Sequence, residues 1–133
     1  MYADDLLLGH GRVAAAEGTV TLTLRCRLNW YRALPVSCVE HLSVTVDGTP
    51  LSPDAIIVEL GDRQIPAPAL VEHDGLWWAT GQVASLHCAL GPGPVRDRYQ
   101  VRLEIGTRIP YMAPMPDGTW RLVRDECTAW VPA

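Results

Sequence analysis

Lysine and phenylalanine are both missing from this sequence of 133 residues, and all eleven basic side chains are arginine. Without a lysine amine, Schiff-base chemistry and P-loop phosphate binding are excluded from the chain. Runs of basic residues are missing too. Arg12, Arg25, Arg27, Arg32, Arg63, Arg96, Arg98, Arg102, Arg108, Arg121 and Arg124 are scattered through a chain of net charge −4. That pattern argues against nucleic-acid binding. No apolar stretch approaches the ~20 residues of a membrane-spanning helix. Leu6-Leu7-Leu8 after Asp4-Asp5 lacks the basic start and the length of a secretory leader, so the expectation is a soluble, cytoplasmic protein.

Close cysteine pairs are also absent. Cys26, Cys38, Cys88 and Cys127 lie far apart with no Cys-x-x-Cys, which makes a structural zinc site unexpected and free, buried thiols the expectation. The histidines, His10, His41, His73 and His87, form no His-x-His pair. Glu40-His41 and His73-Asp74 are neighbours, but adjacent strand residues point to opposite faces and so rarely chelate one ion. No serine has a Gly-x-Ser-x-Gly setting. The sequence thus marks no self-contained active site: catalytic residues, none; metal ligands, none.

What is present is strand patterning. Thr19 to Leu28 alternates strictly, with Val20, Leu22, Leu24, Cys26 and Leu28 on one face. His41 to Val46 repeats the pattern, and Asp47-Gly48 suits the positive φ angles of a tight hairpin turn. Ala55 to Leu60 is the expected return strand, and Gln64-Ile65 a short edge strand ahead of Pro66 and Pro68. The stretch from Ala69 to Trp78 is undecided. Val83 to Leu90 and Tyr99 to Ile105 read as strands split by Gly91-Pro92-Gly93-Pro94, and their antiparallel pairing is expected. Trp120 to Arg124 and Cys127 to Val131 follow turn signals at Pro116-Asp117-Gly118 and Asp125-Glu126. His10 falls in a flexible Gly9-His10-Gly11 turn, and His87 is a strand residue with one hydrogen bond. No 11-residue window carries a helical apolar stripe. Seven to nine short strands in one domain, 1–133, predict an all-β, antiparallel β-sandwich of jelly-roll type.

Two segments carry more aromatic and charged equipment than a connection needs: Trp30-Tyr31-Arg32-Ala33-Leu34-Pro35-Val36-Ser37-Cys38-Val39-Glu40, running on to Val46-Asp47-Gly48, and Arg108-Ile109-Pro110-Tyr111-Met112. Tryptophan, tyrosine and arginine are enriched at protein interfaces, where large area combines with a polar tip. A bridge from Arg32 or Arg108 to a partner carboxylate, or to the chain's own acidic groups, is open at this point. For Trp30, Trp77 and Trp78 the competing role is filling the sandwich core.

In order and spacing these two segments resemble the small β subunit of bacterial C-glycoside deglycosidases. The family pattern Tyr-Tyr-Arg-Gly-Leu-Pro-Leu-Ser-x-Val-Glu matches Trp30 to Glu40, with Ala33 in place of the glycine. Its Arg-Ile-x-Tyr-Met ending matches Arg108 to Met112, with Pro110 at the variable place. The resemblance implies a β-sandwich subunit, itself noncatalytic, in a hetero-oligomer of αβ units. The larger α subunit would be TIM-barrel-like and hold a divalent metal such as manganese. It further implies a lyase cutting the carbon–carbon bond between a 3-oxo sugar and a flavonoid-like aromatic aglycone by β-elimination. The expected partner-interface set is Trp30, Tyr31, Arg32, Leu34, Pro35, Arg108, Tyr111 and Met112. The alternative is a stand-alone carbohydrate-binding sandwich with Trp77, Trp78 or Trp120 stacking on sugar rings.

Overall fold

The computed structural model describes residues 7–16 and 18–132. It contains eleven strands: β1 (Leu7–Ala16), β2 (Thr19–Arg27), β3 (Leu34–Pro35), β4 (Val39–Val46), β5 (Thr49–Pro50), β6 (Ile56–Leu60), β7 (Arg63–Pro66), β8 (Trp77–Trp78), β9 (Val83–Pro92), β10 (Arg98–Arg108) and β11 (Leu122–Pro132). They form a five-stranded antiparallel sheet ordered β1-β2-β9-β6-β7 and a four-stranded one ordered β11-β10-β4-β5, with β3 and β8 as a separate small pair. Short 3-10 turns at Val36–Cys38, Pro53–Ala55 and Ala67–Glu72 complete the elements of the described residues. The all-β sandwich is as the alternation predicts.

The two sheets bury their apolar faces in one core. Leu22, Leu24 and Cys26 of β2, Leu86 and Cys88 of β9 and Ile56 and Val58 of β6 meet Val44 of β4 and Val101, Leu103 and Ile105 of β10. Each buried leucine, valine or isoleucine contributes about 1.5–3 kcal/mol over its exposed state. Register therefore matters, because slipping β2 by one residue would exchange Leu22 and Leu24 for Thr21 and Thr23. β1 runs beside β11, so the sheets also meet at one edge.

Five expected connections or turns differ. Asp47 and Gly48 do form the tight turn, at φ 50° and 82°, but its return strand is the two-residue β5, with Val46 opposite Thr49 and Thr45 opposite Pro50. Pro50 has no N–H with which to extend the ladder. The chain then turns at Pro53–Ala55, and β6 joins the other sheet between β9 and β7. β9 and β10 do not pair either. β9 lies between β2 and β6, and β10 between β4 and β11. β9 also runs into the Gly-Pro stretch as far as Pro92, past a bulge opposite Val20 and Thr21, with Gly91 at φ 86°.

Asp125-Glu126 is not a turn but the middle of β11, paired with Ile105 and Glu104. Asp125 accepts from Asn29 at 3.1 Å and Glu126 from Arg102 at 2.5 Å, which satisfies both carboxylates within a strand. Gly9-His10-Gly11 likewise lies inside β1, where the register shifts between Leu8 and Arg12. A bulge absorbs the glycines that looked like a turn.

Candidate functional site

One end of the sandwich is built from the exit of β2, the β3–β8 pair and the connection between β10 and β11. Asn29, directly after β2, is buried, and its side chain fastens the sheets together. Its amide donates to the Val123 carbonyl at 3.0 Å and to Asp125, while its carbonyl accepts the Thr107 hydroxyl. A buried amide with these partners fixes where the chain leaves the sheet. The next residues, Trp30, Tyr31 and Arg32, are thereby placed at the end of the sandwich.

Pro35 then directs the chain inward. It caps the Val36–Cys38 turn at φ −57° and pairs opposite Trp77, while Leu34 pairs opposite Trp78. Adjacent strand residues point to opposite sides, so one tryptophan goes in and one out. Trp78 is 1% exposed and donates its indole N–H to the Gln82 carbonyl at 2.8 Å, whereas Trp77 is 56% exposed. Leu34 is 1% exposed. It belongs to the core beneath this end and not to its surface. Ala33 keeps a negative φ, since Asp47 is the only non-glycine with a positive one among the described residues.

The other half of the end is the segment 109–121. Ile109 is fully buried and its N–H bonds the Arg121 carbonyl at 3.1 Å, closing the loop at its base. The Met115 N–H reaches the Thr119 carbonyl at 2.8 Å, Gly118 supplies φ 86°, and the Arg121 Nε donates to the Ala113 carbonyl at 2.8 Å. Asp117 accepts from the Thr119 hydroxyl and N–H, which hold its carboxyl below the usual carboxylate range. The loop is internally bonded throughout.

The two halves join through aromatic rings. The Trp30 indole N–H donates to the Tyr111 hydroxyl. Trp30 and Tyr31 rings lie 4.8 Å apart at 45°. The Arg32 guanidinium sits 5.5 Å from the Tyr31 ring and 5.5 Å from the Tyr111 ring. Arg108 stacks at 5.5 Å over Trp120 and lies 3.4 Å from the Glu40 carboxylate. Its guanidinium also approaches the buried Cys38 sulfur at 3.9 Å. Burial pushes that thiol up even with the cation beside it. Met112 is half-buried against the core.

Of the sequence-selected residues, Trp30, Tyr31, Arg32 and Tyr111 are in mutual contact, while Arg108 stacks on Trp120, Pro35 lies opposite Trp77, Met112 packs on the core and Leu34 is sunken. Trp120, Met115 and Leu122, exposed on the same connection, were not among them. Among the described residues, six of the nine exposed large apolar side chains, Tyr31, Trp77, Tyr111, Met115, Trp120 and Leu122, come from these segments or from the start of β11 beside them. The signal for Trp120 in the sequence was the pairing of an aromatic with an Asp-Gly turn, which alone does not reveal that Arg108 stacks on it.

Chemistry of its own is sparse at this end. Among the described residues no three His, Cys, Asp or Glu side chains converge as metal ligands. No helix among them is long and apolar enough to cross a membrane. His87 lies on the outer face of the larger sheet and makes two contacts instead of the expected one: Thr23 Oγ1 to Nδ1 at 3.0 Å and Glu59 Oε1 to Nε2 at 3.1 Å. A carboxylate only accepts, so Nε2 donates to Glu59 while Nδ1 faces the threonine hydroxyl. With Gln64 donating to Glu59 at 3.0 Å, this row stitches β2, β9, β6 and β7.

Comparison with known proteins gives a family model, described as C-glycoside deglycosidase beta subunit, matching residues 10–111. That span takes in Trp30 to Glu40 and ends at Tyr111. A C-glycoside deglycosidase beta subunit from Arthrobacter globiformis is 30% identical over 108 residues, covering 81% of each chain. A 3'-dehydrocarminate deglycosidase beta subunit from a Microbacterium species is 34% identical over 115 residues, 84% of this chain and 82% of that one. The chain belongs to the C-glycoside deglycosidase beta subunit family.

Proposed function

We propose that this chain is the noncatalytic β subunit of a cytoplasmic αβ lyase, and that its aromatic end, with Trp30, Tyr31, Arg32, Pro35, Arg108, Tyr111 and Met112, faces the α subunit. Leu34 supports that surface from below. The observation that carries the reading is the Trp30–Tyr111 junction: the two residues that join the halves of an exposed aromatic and arginine surface both lie inside the span that matches the family. Surfaces of this composition supply the anchor residues of protein interfaces.

The reaction of such a complex is the cleavage of a 3-oxo-C-glycoside. A base takes the C2 proton, acidified by the C3 ketone, and its electron pair forms the C1–C2 double bond. The C1–aryl bond breaks toward the ring carbon, which is protonated, and an unsaturated keto sugar and the free aglycone result. A relative named for 3'-dehydrocarminate acts on a dehydro glycoside, in keeping with this chemistry. The described residues of this chain do not fit a metal site. The divalent ion, manganese by the family resemblance, would be held by a TIM-barrel-like α subunit.

The test is co-expression of the chain with a cognate α subunit, purification of the complex, and measurement of aglycone released from a 3-oxo-C-glucoside. A stoichiometric complex whose activity requires this chain is the expected result. An α subunit equally active alone would overturn it. The exposed Trp77 and Trp120 favour one second reading, a sugar-binding module. Saturable quenching of tryptophan fluorescence by a sugar, with no association to the α subunit, would establish that reading instead.

A further inference from the structure

The arginines at the aromatic end differ in what they already hold. Arg108 has the Glu40 carboxylate and the Trp120 ring, and Arg121 has the Ala113 carbonyl. Asp125 is taken by Asn29, and Asp117 by Thr119. Arg32 has two tyrosine rings and, among the described residues, no acidic partner and no hydrogen bond. The sequence left both arginines able to bridge inward or outward. The structure separates them: Arg108 lies within ion-pair range of Glu40, though its buried Nε makes no hydrogen bond, and Arg32 has no acidic group in range among the described residues.

We propose that Arg32 is a prepared seat for one carboxylate, and that the surface of the α subunit docking here presents an aspartate or glutamate to it. The inference rests on the β-subunit reading and specifies the chemistry of its partner. A guanidinium against aromatic rings is held by its face, which leaves the in-plane N–H donors free at its edge. Those donors match a carboxylate with two parallel hydrogen bonds. The Tyr111 ring is itself anchored by Trp30, so Arg32 is positioned before binding and loses little freedom on pairing. Tyr31, 60% exposed, and Tyr111, 51% exposed, flank the site and would shield the pair from water once covered.

A single protein carboxylate suits the site better than a polyanion. The chain carries a net charge of −4 and its arginines form no run, so an extended phosphate backbone finds no continuous cationic track. One cation set among tyrosines, with exposed Met115 and Trp120 on the same loop, is the composition of an interface anchor.

The experiment measures the affinity of the full chain for the purified α subunit at low and high salt, for wild type, Arg32→Lys and Arg32→Ala. Arg32 is exposed, so both variants should keep the wild-type thermal transition. Arg32→Ala is expected to weaken binding about 30-fold and to flatten the salt dependence. Arg32→Lys should still lose about 10-fold, because a point charge replaces a two-pronged donor. Arg32→Glu should abolish binding, and an arginine in place of the facing acidic residue of the α subunit should restore it. Binding by Arg32→Ala within twofold of wild type would overturn the carboxylate seat while leaving the subunit reading intact. Failure of the wild-type chain to bind the α subunit at all would overturn both.

Discussion

Trp30 and Tyr111 are 81 positions apart, and the indole N–H of the first donates to the phenol oxygen of the second. The contact joins the exit of one sheet to the loop leaving the other. Each ring restrains its neighbour, and Arg32 rests against Tyr111 and Tyr31. The surface is thus assembled from two distant segments by one hydrogen bond and a set of ring contacts.

Tyr111→Phe removes the acceptor and keeps the ring. Because the bond is exposed, although Trp30 itself is half-buried against the core, water replaces the lost partner, and stability should fall by no more than about 1 kcal/mol. Binding to the α subunit should fall more, by roughly 5-fold, as Tyr111 loses its anchor and Arg32 its fixed neighbour. Denaturant titration and an affinity measurement on the same preparation check the two effects separately.

Asn29→Ala strikes a buried junction. The Thr107 hydroxyl and the Val123 carbonyl each lose a partner in the interior, at about 1–3 kcal/mol for an unsatisfied group. A total near 3 kcal/mol, or a melting temperature lower by about 10 °C, is the expected outcome in a calorimetric scan. Asn29→Asp should be no rescue, since it replaces the donor to Asp125 with a second carboxylate.

Alkaline stability should decline early. Burial pushes the Cys26 thiol up to about 12 from 9.0, helped by Cys88 beside it, and burial alone pushes Cys88 up to about 12. Above pH 9 the unfolded chain ionises these thiols and the folded chain does not, so the unfolded state binds fewer protons and stability falls with rising pH until about 12. Each thiol removes about 1.4 kcal/mol per pH unit in that window. With no lysine present, no lysine amine contributes in that window. Urea titrations at pH 8 and pH 10 should differ by at least about 2–3 kcal/mol, with the raised Cys38 thiol adding in the same direction, and Cys88→Ala should remove about 1.4 kcal/mol of the difference. The same thiols should resist alkylation until the protein unfolds.

What could be read from the residues follows a physical division. β2 was legible because one face is buried and its alternation is uninterrupted from Val20 to Cys26. The turn at Asp47-Gly48 was legible because few residues accept φ 50° followed by φ 82°. Strand partners were not. β9 and β10 follow one another and share a buried-exposed pattern, yet nothing local says that β9 pairs with β2 and β6 and β10 with β4 and β11. Polar residues misled where the fold supplies distant partners: Asp125 looks like a turn until Asn29 reaches it.

The aromatic end was legible as composition and motif, from Trp30 to Pro35 and from Arg108 to Met112. Its geometry was not, because it depends on contacts spanning most of the chain. Trp77 and Trp78 show the limit most clearly. Alternation requires one of the pair inside and one outside, and only the pairing of Leu34 with Trp78 decides which.

Hydrogen–deuterium exchange of this chain, free and bound to the α subunit, tests the central claim most directly. The account predicts that binding slows exchange in residues 30–35 and 109–121, with the outer face of the larger sheet around Thr23, Glu59 and His87 unchanged. Protection confined to that sheet face, with the Trp30–Tyr111 end exchanging as in the free chain, would contradict it.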